Sequence, residues 1–261
     1  MNHDNIVVTT TKPREHLIEI ARLISEEINI PYLVKGNLSM AKFMETNNLT
    51  DVIAVREDRI QIISENGEFF FHPGLAIPRI KNYKKTRYDT MIEAMQLQPS
   101  DVLLDCTLGL ANDAIVANFI LKDKGELVGI ESSPLIYAIT KWGLKKYSRG
   151  SKATQESMQN IIVKNENYDT YLKKLPSKSV DIIYFDPMFN KPLYKSNGIC
   201  GLRNFANYQQ LDQSTIDLAL KIARKRVVFK DRSNSSNFGK LNVDEIVGGK
   251  YSPVAYGVFI C

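Results

Sequence analysis

From about Asp89 onward the chain alternates short apolar runs with segments of helical period, and the apolar runs stop at polar residues. Residues 102–106, 126–131, 159–163, 180–185 and 226–230 read as strands. Residues 90–97, 112–121, 134–147, 168–175 and 214–223 read as the helices around and between them. Continuous apolar runs bounded by turn signals suit strands buried on both faces. Strands joined through helices pair in parallel, because a parallel pair needs a crossover connection. Residues 244–247 and 254–260 close the chain as a hairpin. The pattern predicts an α/β fold over residues 89–261, a doubly wound, mostly parallel sheet of seven strands with an antiparallel edge strand.

In such a sheet ligands bind beyond the carboxyl ends of the strands. The run Val102-Leu103-Leu104-Asp105-Cys106-Thr107-Leu108-Gly109-Leu110-Ala111-Asn112-Asp113 is a strand ending in an acid, a tight turn with one glycine, and a helix start. It lacks the full G-x-G-x-x-G fingerprint and has no P-loop lysine, which argues against a dinucleotide pyrophosphate and against ATP. An acidic strand end beside a polar helix start suits a ligand carrying an ammonium group. Glu131, at the next strand end before Ser132, stands where an acid accepts both hydroxyls of a ribose. Asn167, after the third strand, offers an amide to an adenine edge. Each of these residues alone is also an ordinary cap or turn former.

The fourth strand ends in Asp186-Pro187-Met188-Phe189. Proline fixes φ and removes one backbone donor, so neighbouring carbonyls are free to face a cleft. With the carboxylate and a stacking ring, the tetrapeptide has the parts of a pocket for a planar amine. Asp-Pro also marks many plain turns. Residues 190–205 follow, with Lys191, Tyr194, Lys195, Arg203 and Phe205, and read as an acceptor-side loop. Lys230, past the fifth strand, offers a phosphate contact or a solvated strand end.

Residues 1–88 read as a small α+β domain and a basic linker. Strands are predicted at 6–11, 51–56, 59–64 and 68–72, with Glu65-Asn66-Gly67 as the hairpin turn before the last. Leu17, Ile20, Ala21, Ile24 and Ile28 share one helical face, and a second helix is predicted at 39–46. The segment 73–87, with Arg79, Lys81, Lys84, Lys85 and Arg87, is either a solvated linker or a strip that touches phosphates.

Composition matters mainly for what it excludes. The 261 residues carry a net charge of +5, which permits a polyanionic partner without demanding one. The three cysteines, Cys106, Cys200 and Cys261, have no metal-ligand or disulfide spacing, and no metal is expected. No apolar stretch is long enough to span a membrane and no secretory signal is visible, so a cytoplasmic location is expected.

The chain resembles the class I S-adenosylmethionine-dependent methyltransferases over residues 89–261. Leu104-Asp105-Cys106-Thr107-Leu108-Gly109-Leu110-Ala111-Asn112-Asp113, Glu131-Ser132-Ser133-Pro134 and Asp186-Pro187-Met188-Phe189 together resemble the RsmJ-type family, which methylates guanine N2 of small-subunit ribosomal RNA. The resemblance implies a Rossmann-like methyltransferase sheet and S-adenosylmethionine as cofactor. It implies cofactor contacts from Asp105, Thr107, Gly109, Asn112, Asp113, Glu131, Ser132, Asn167 and Asp186, with the amino group near Asp105 and the ribose on Glu131. It implies that Asp186 and the Pro187 carbonyl hold the acceptor amine while Phe189 stacks on the base. Met188, Lys191, Tyr194, Lys195, Arg203 and Lys230 are the candidate substrate contacts. RNA, as small-subunit rRNA or its particle, is the expected partner. Another amine acceptor (DNA adenine, a protein glutamine, a small molecule) and a non-catalytic binder of cofactor or RNA are the alternatives.

Overall fold

A computed structural model describes residues 5–187, 205 and 210–261. These residues fall into two compact units. The first holds residues 5–72, 134–147 and 205, and the second holds 73–133, 148–187 and 210–261. Among the described residues no helix is long and apolar enough to cross a membrane.

The first unit is a four-stranded sheet with three helices. Strand β1 (Asn5–Thr9) leads into helix α1 (Glu15–Ile28), which buries Leu17, Ala21, Ile24 and Ile28 on one face. Helix α2 (Met40–Thr46) is capped by Ser39, whose hydroxyl accepts from the Lys42 amide. Strands β2 (Asp51–Val55), β3 (Ile60–Ser64) and β4 (Gly67–Phe70) follow. β1 and β2 pair in parallel, and β2, β3 and β4 pair antiparallel around the expected Asn66-Gly67 turn.

The segment read as a linker is instead helix α3 (Ala76–Thr86) in the second unit. Pro78 sits in its first turn, where no backbone donor is needed, so the proline does not interrupt the helix. Ala76 and Ile80, four apart, form its buried face.

The second unit continues with helix α4 (Thr90–Met95), strand β5 (Val102–Asp105), helix α5 (Asn112–Leu121) and strand β6 (Glu126–Glu131). Helix α6 (Pro134–Lys146) forms as expected but groups with the first unit, beside α1, β3 and β4. Gly143 on α6 is where it meets the first sheet: a Cβ there would lie 2.2 Å from Cβ of Phe71. Helix α7 (Lys152–Gln159) was not visible in the sequence. Its surface is mostly polar, and it is fixed by a Ser151 cap and by the Asn118 amide, which donates to the Ser157 carbonyl at 2.8 Å. Its presence pushes strand β7 to Ile161–Asn165, two residues beyond the predicted start.

Helix α8 (Tyr168–Leu172) precedes strand β8 (Val180–Phe185), buried at every position. Helix α9 (Gln213–Ile222) runs directly into strand β9 (Ala223–Arg232). Helix α10 (Asn237–Lys240) and the hairpin of β10 (Glu245–Gly248) and β11 (Val254–Ile260) end the chain. The sheet order is β10-β11-β9-β8-β5-β6-β7. The doubly wound, mostly parallel expectation holds. The antiparallel strand is not at the edge, however: β11 lies between β9 and β10 and opposes β9 over seven residue pairs. β10 returns as the edge. The winding reverses between β5 and β8, since β6 and β7 extend one side of β5 while β8 and β9 extend the other. Crevices at such reversals are where ligands bind in open α/β sheets.

Candidate active site

The reversal point is built from the ends of β5, β6 and β8. β5 ends at Asp105, which is 2% exposed. The Cys106 amide donates to the Tyr184 carbonyl at 2.9 Å, so the chain is still held to β8 as it enters the turn. The Leu108 amide then donates to the Ile130 carbonyl at 3.0 Å, holding the turn over β6. Gly109 has φ +52°, and a Cβ added there would meet nothing closer than the Thr107 carbonyl at 3.9 Å. The glycine leaves an open cradle above the turn, where a ligand can approach the backbone.

Two carboxylates shape this cradle. Glu131 accepts from the Gly109 amide at 3.0 Å and from the Ser133 amide at 2.7 Å, tying the end of β6 to the turn. Burial raises its pKa, and those amides oppose the rise. The Ser132 amide adds a third backbone hydrogen bond, and a carboxylate has about four acceptor sites in all, so acceptor capacity remains for a ribose hydroxyl. Asp105 accepts from the Thr107 amide at 3.0 Å. Burial pushes its carboxyl up to about 8, against the Thr107 hydrogen bond and the more distant Lys230, with Asp113 and Asp186 adding to the rise. A buried carboxyl in that condition is a ready partner for an incoming cation. The donor set therefore fits an ammonium at Asp105 and a ribose at Glu131.

Beside the cradle lies a cluster of charges. The Asp186 amide donates to the Thr107 hydroxyl at 2.5 Å. The Lys230 ammonium bridges Asp186 at 2.8 Å and Asp113 at 2.9 Å. Tyr184 donates its phenolic hydrogen to Asp113 at 2.8 Å. Arg79, from α3, forms an ion pair with Asp113 and two hydrogen bonds of 2.8 Å to Asp89. Burial alone would raise Asp113, but Lys230 and Arg79 hold it well below the usual carboxylate range. Asp186 is raised by burial, with Lys230 opposing and Asp113 reinforcing the rise. Burial would lower Lys230, and the two carboxylates more than reverse this, so it stays charged. Two cations face three carboxylates, leaving a negative surplus that suits a cationic ligand.

Several sequence expectations need correction here. Lys230 is no surface phosphate contact: its side chain is 20% exposed and committed to two carboxylates. Asn112 faces α3, where its carbonyl oxygen accepts from the Leu75 and Ala76 amides at 3.2 Å each, and Asp113 is enclosed by Arg79, Lys230 and Tyr184. The Asn112 carbonyl oxygen and both Asp113 oxygens are thus already engaged. The Asn167 side chain caps α8, accepting from the Asp169 amide at 2.9 Å. Ser132 follows Glu131 at the rim and is half-buried. Pro187 is the last described residue of its motif; Met188, Phe189, Lys191, Tyr194, Lys195 and Arg203 lie outside the described residues. Cys106 is buried and its thiol is pushed up by burial, which leaves it unreactive.

The sequence reading missed Asp89, Tyr184 and Asn165, and took Arg79 for part of a solvated linker or a phosphate-touching strip. Asn165 donates its amide to the Glu131 carbonyl at 2.8 Å and steadies that strand end. Tyr184, set in the apolar stretch 182–185, was a usable signal, because a buried phenol needs a partner.

Comparison with known proteins agrees with this geometry. Residues 50–252 match the family described as "Putative SAM-dependent methyltransferase". The chain is 35% identical to the uncharacterized protein YpiP of Bacillus subtilis, over 97% of this chain and 98% of that one. It is 27% identical to the ribosomal RNA small subunit methyltransferase J of Buchnera aphidicola, over 82% of this chain and 84% of that one. Its fold is similar to that of the SAM-dependent methyltransferase NGO1261 from Neisseria gonorrhoeae, with a TM-score of 0.66, 15% identity, and coverage of 98% of this chain and 95% of that one. With a buried acid and an open glycine turn at the sheet's reversal point, and with the family match spanning most of its length, the chain belongs to the SAM-dependent methyltransferases, and S-adenosylmethionine is its cofactor.

Proposed function

We propose that this enzyme methylates guanine N2 in small-subunit ribosomal RNA. One observation carries the reading: the Asp186 amide is bonded to Thr107, so the amine-binding motif and the cofactor turn are held together across β5 and β8. The relative in Buchnera named for small-subunit ribosomal RNA supports the choice of acceptor.

The cofactor brings a methyl group already activated on a sulfonium. The protein's task is therefore placement. Asp105 holds the ammonium, Glu131 the ribose hydroxyls, Gly109 leaves room for the chain between them, and Ser132 and Asn167 border the adenosine. Asp186 and the Pro187 carbonyl accept hydrogen bonds from the acceptor amine and aim its lone pair. Alignment of this kind is the dominant contribution where no difficult proton transfer is needed, and the fixed charges around Asp186 add electrostatic placement. The raised pKa of Asp186 suits it to take up the proton that the amine releases. Phe189 stacks on the base, and Met188, Lys191, Tyr194, Lys195 and Arg203 contact the strand. A paired guanine has to be extruded, at a cost of a few kcal/mol. A ribosomal substrate places the enzyme in the cytoplasm.

The test is transfer of labelled methyl from S-adenosylmethionine to total RNA from cells lacking the protein. Label mapped to guanine N2 of small-subunit rRNA is the expected result. No label in RNA, with cofactor binding intact, would move the acceptor to another amine.

A further inference from the structure

We propose that the first unit carries its own binding site for a phosphate group, in the cleft at the carboxyl ends of its parallel strands. β1 and β2 run parallel, and a third stretch, around Tyr32, bridges β1 in parallel on its other side. The Val7 amide donates to the Pro31 carbonyl at 2.9 Å, and the Leu33 amide donates to the Val7 carbonyl at 3.0 Å. Three parallel chain segments thus end on the same side. At and past their ends stand Thr9 closing β1, Thr10 and Thr11 after it, Lys35 after the Tyr32 stretch and Arg56 after β2, around a cleft of about 230 Å³. The carboxyl ends of parallel strands are the ligand side of α/β units.

The chemistry of this cleft is anion-selective. Lys35 is 9% exposed, and its ammonium donates to the Thr11 hydroxyl at 3.1 Å and to the Leu38 carbonyl. Both partners are neutral. Among the described residues no carboxylate lies within ion-pair distance of it. An ammonium has three donors, so one remains for a ligand. A mostly buried cation without a counter-ion is costly, and an incoming anion removes that cost. Arg56 supplies a second cation, engaged only loosely by Glu68 at 3.7 Å. Its sequence neighbour Glu57 is held away by Arg14 at 3.2 Å and His16 at 3.5 Å. The exposed Thr10 and Thr11 hydroxyls add neutral donors, and Met40 and Ala54 close an apolar wall. Two cations, hydroxyl donors and no acid among the described lining residues suit a phosphate group, on an RNA strand or on a free phosphate compound.

This inference does not depend on the acceptor being ribosomal RNA. It is tested on the full chain with two probes, a short fluorescein-labelled single-stranded RNA and inorganic phosphate. Arg56→Gln leaves a half-exposed position, so it guards against a fold defect in Lys35→Gln. In the RNA arm, each variant is expected to bind several-fold more weakly, with the slope of log affinity against log salt reduced by about 0.7. In the phosphate arm, phosphate is expected to raise the melting temperature of the wild type and to lose that effect in both variants. Cofactor affinity, set by Asp105 and Glu131 in the other unit, is expected to be unchanged. A change in the RNA arm assigns the site to a polynucleotide. A change in the phosphate arm alone assigns it to a free phosphate compound. Variants that match the wild type in both arms overturn the site and leave Lys35 as a loop staple, whether or not methyl transfer to RNA is observed.

Discussion

The Thr107 hydroxyl accepts the Asp186 amide at 2.5 Å, and through it the turn that follows β5 is fixed to the end of β8. Neither residue is near the other in sequence. The bond exists because the sheet reverses direction between these two strands, which brings Asp105 opposite Tyr184 in register. The turn after β5 and the Asp-Pro end of β8 therefore form one tied edge.

Thr107→Val tests this link. Valine keeps the shape and leaves the Asp186 amide without its acceptor, which costs about 1–3 kcal/mol. Urea unfolding should show a loss of that size, and turnover should fall more than cofactor affinity. Thr107→Ser should restore both. Wild-type turnover in the valine variant would show that the link has no part in alignment.

Asp186→Asn removes the charge and keeps the size. Turnover is expected to drop about a hundredfold or more, the usual scale for a lost proton acceptor. Cofactor affinity should stay within a few-fold, because Asp105 and Glu131 remain. Equilibrium binding and single-turnover transfer separate the two quantities. A variant that binds cofactor poorly but transfers at the normal rate once saturated would reverse the assignment.

Much of this edge was legible in the sequence, and what was not has a common cause. Asp105, Glu131 and Asp186 announce themselves because polar residues interrupt apolar strands at their ends, and Gly109 because it is the one glycine of the turn after β5. Lys230 and Asp113 were seen but given the wrong partners. Their pairing depends on β9 lying next to β8, and strand order is not written in any local pattern. Arg79 was placed in a linker because the basic residues of 73–87 outweigh the small apolar face of α3, only Ala76 and Ile80. Helix α7 escaped because it buries Thr154, Ser157 and Met158, a face with too few apolar residues for its period to register.

Lys230→Met removes the cation shared by Asp113 and Asp186. Breaking a buried pair by deleting one partner costs about 3–5 kcal/mol, since the charges left behind stay uncompensated. The pH dependence follows from the signs of the shifts. Lys230 is raised, so its contribution is complete below its ordinary pKa and persists into strongly alkaline solution. Asp113 is depressed, so its contribution is present above its ordinary pKa and is lost as pH falls through its folded value. The stability gap between wild type and variant should hold in mildly alkaline solution and shrink as pH falls, first as Asp186, whose folded pKa is raised, takes up its proton and then as Asp113 does. Denaturant titrations across that range read it directly. A gap that is absent at pH 7 would mean the cluster contributes nothing net.

Asp105 gives the cofactor site its own pH signature. Its carboxyl is raised to about 8, so near neutrality the protein without cofactor holds a proton that the unfolded chain has released. That contribution destabilises the fold progressively as pH rises from about 4 towards 8, the reverse of a salt-bridged acid. An ammonium ligand needs the ionised form, so binding near pH 7 should release close to one proton. Affinity should climb up to about tenfold per pH unit on the acid side. Above about pH 8 the ligand's own amino group loses its proton, and affinity should fall again. Calorimetric titrations from pH 6 to 9, in buffers of different ionisation heat, measure both the affinity and the proton release. Asp105→Asn should bind weakly, lose the acid limb and release no proton. Parallel profiles for variant and wild type would place the ammonium elsewhere than at the end of β5.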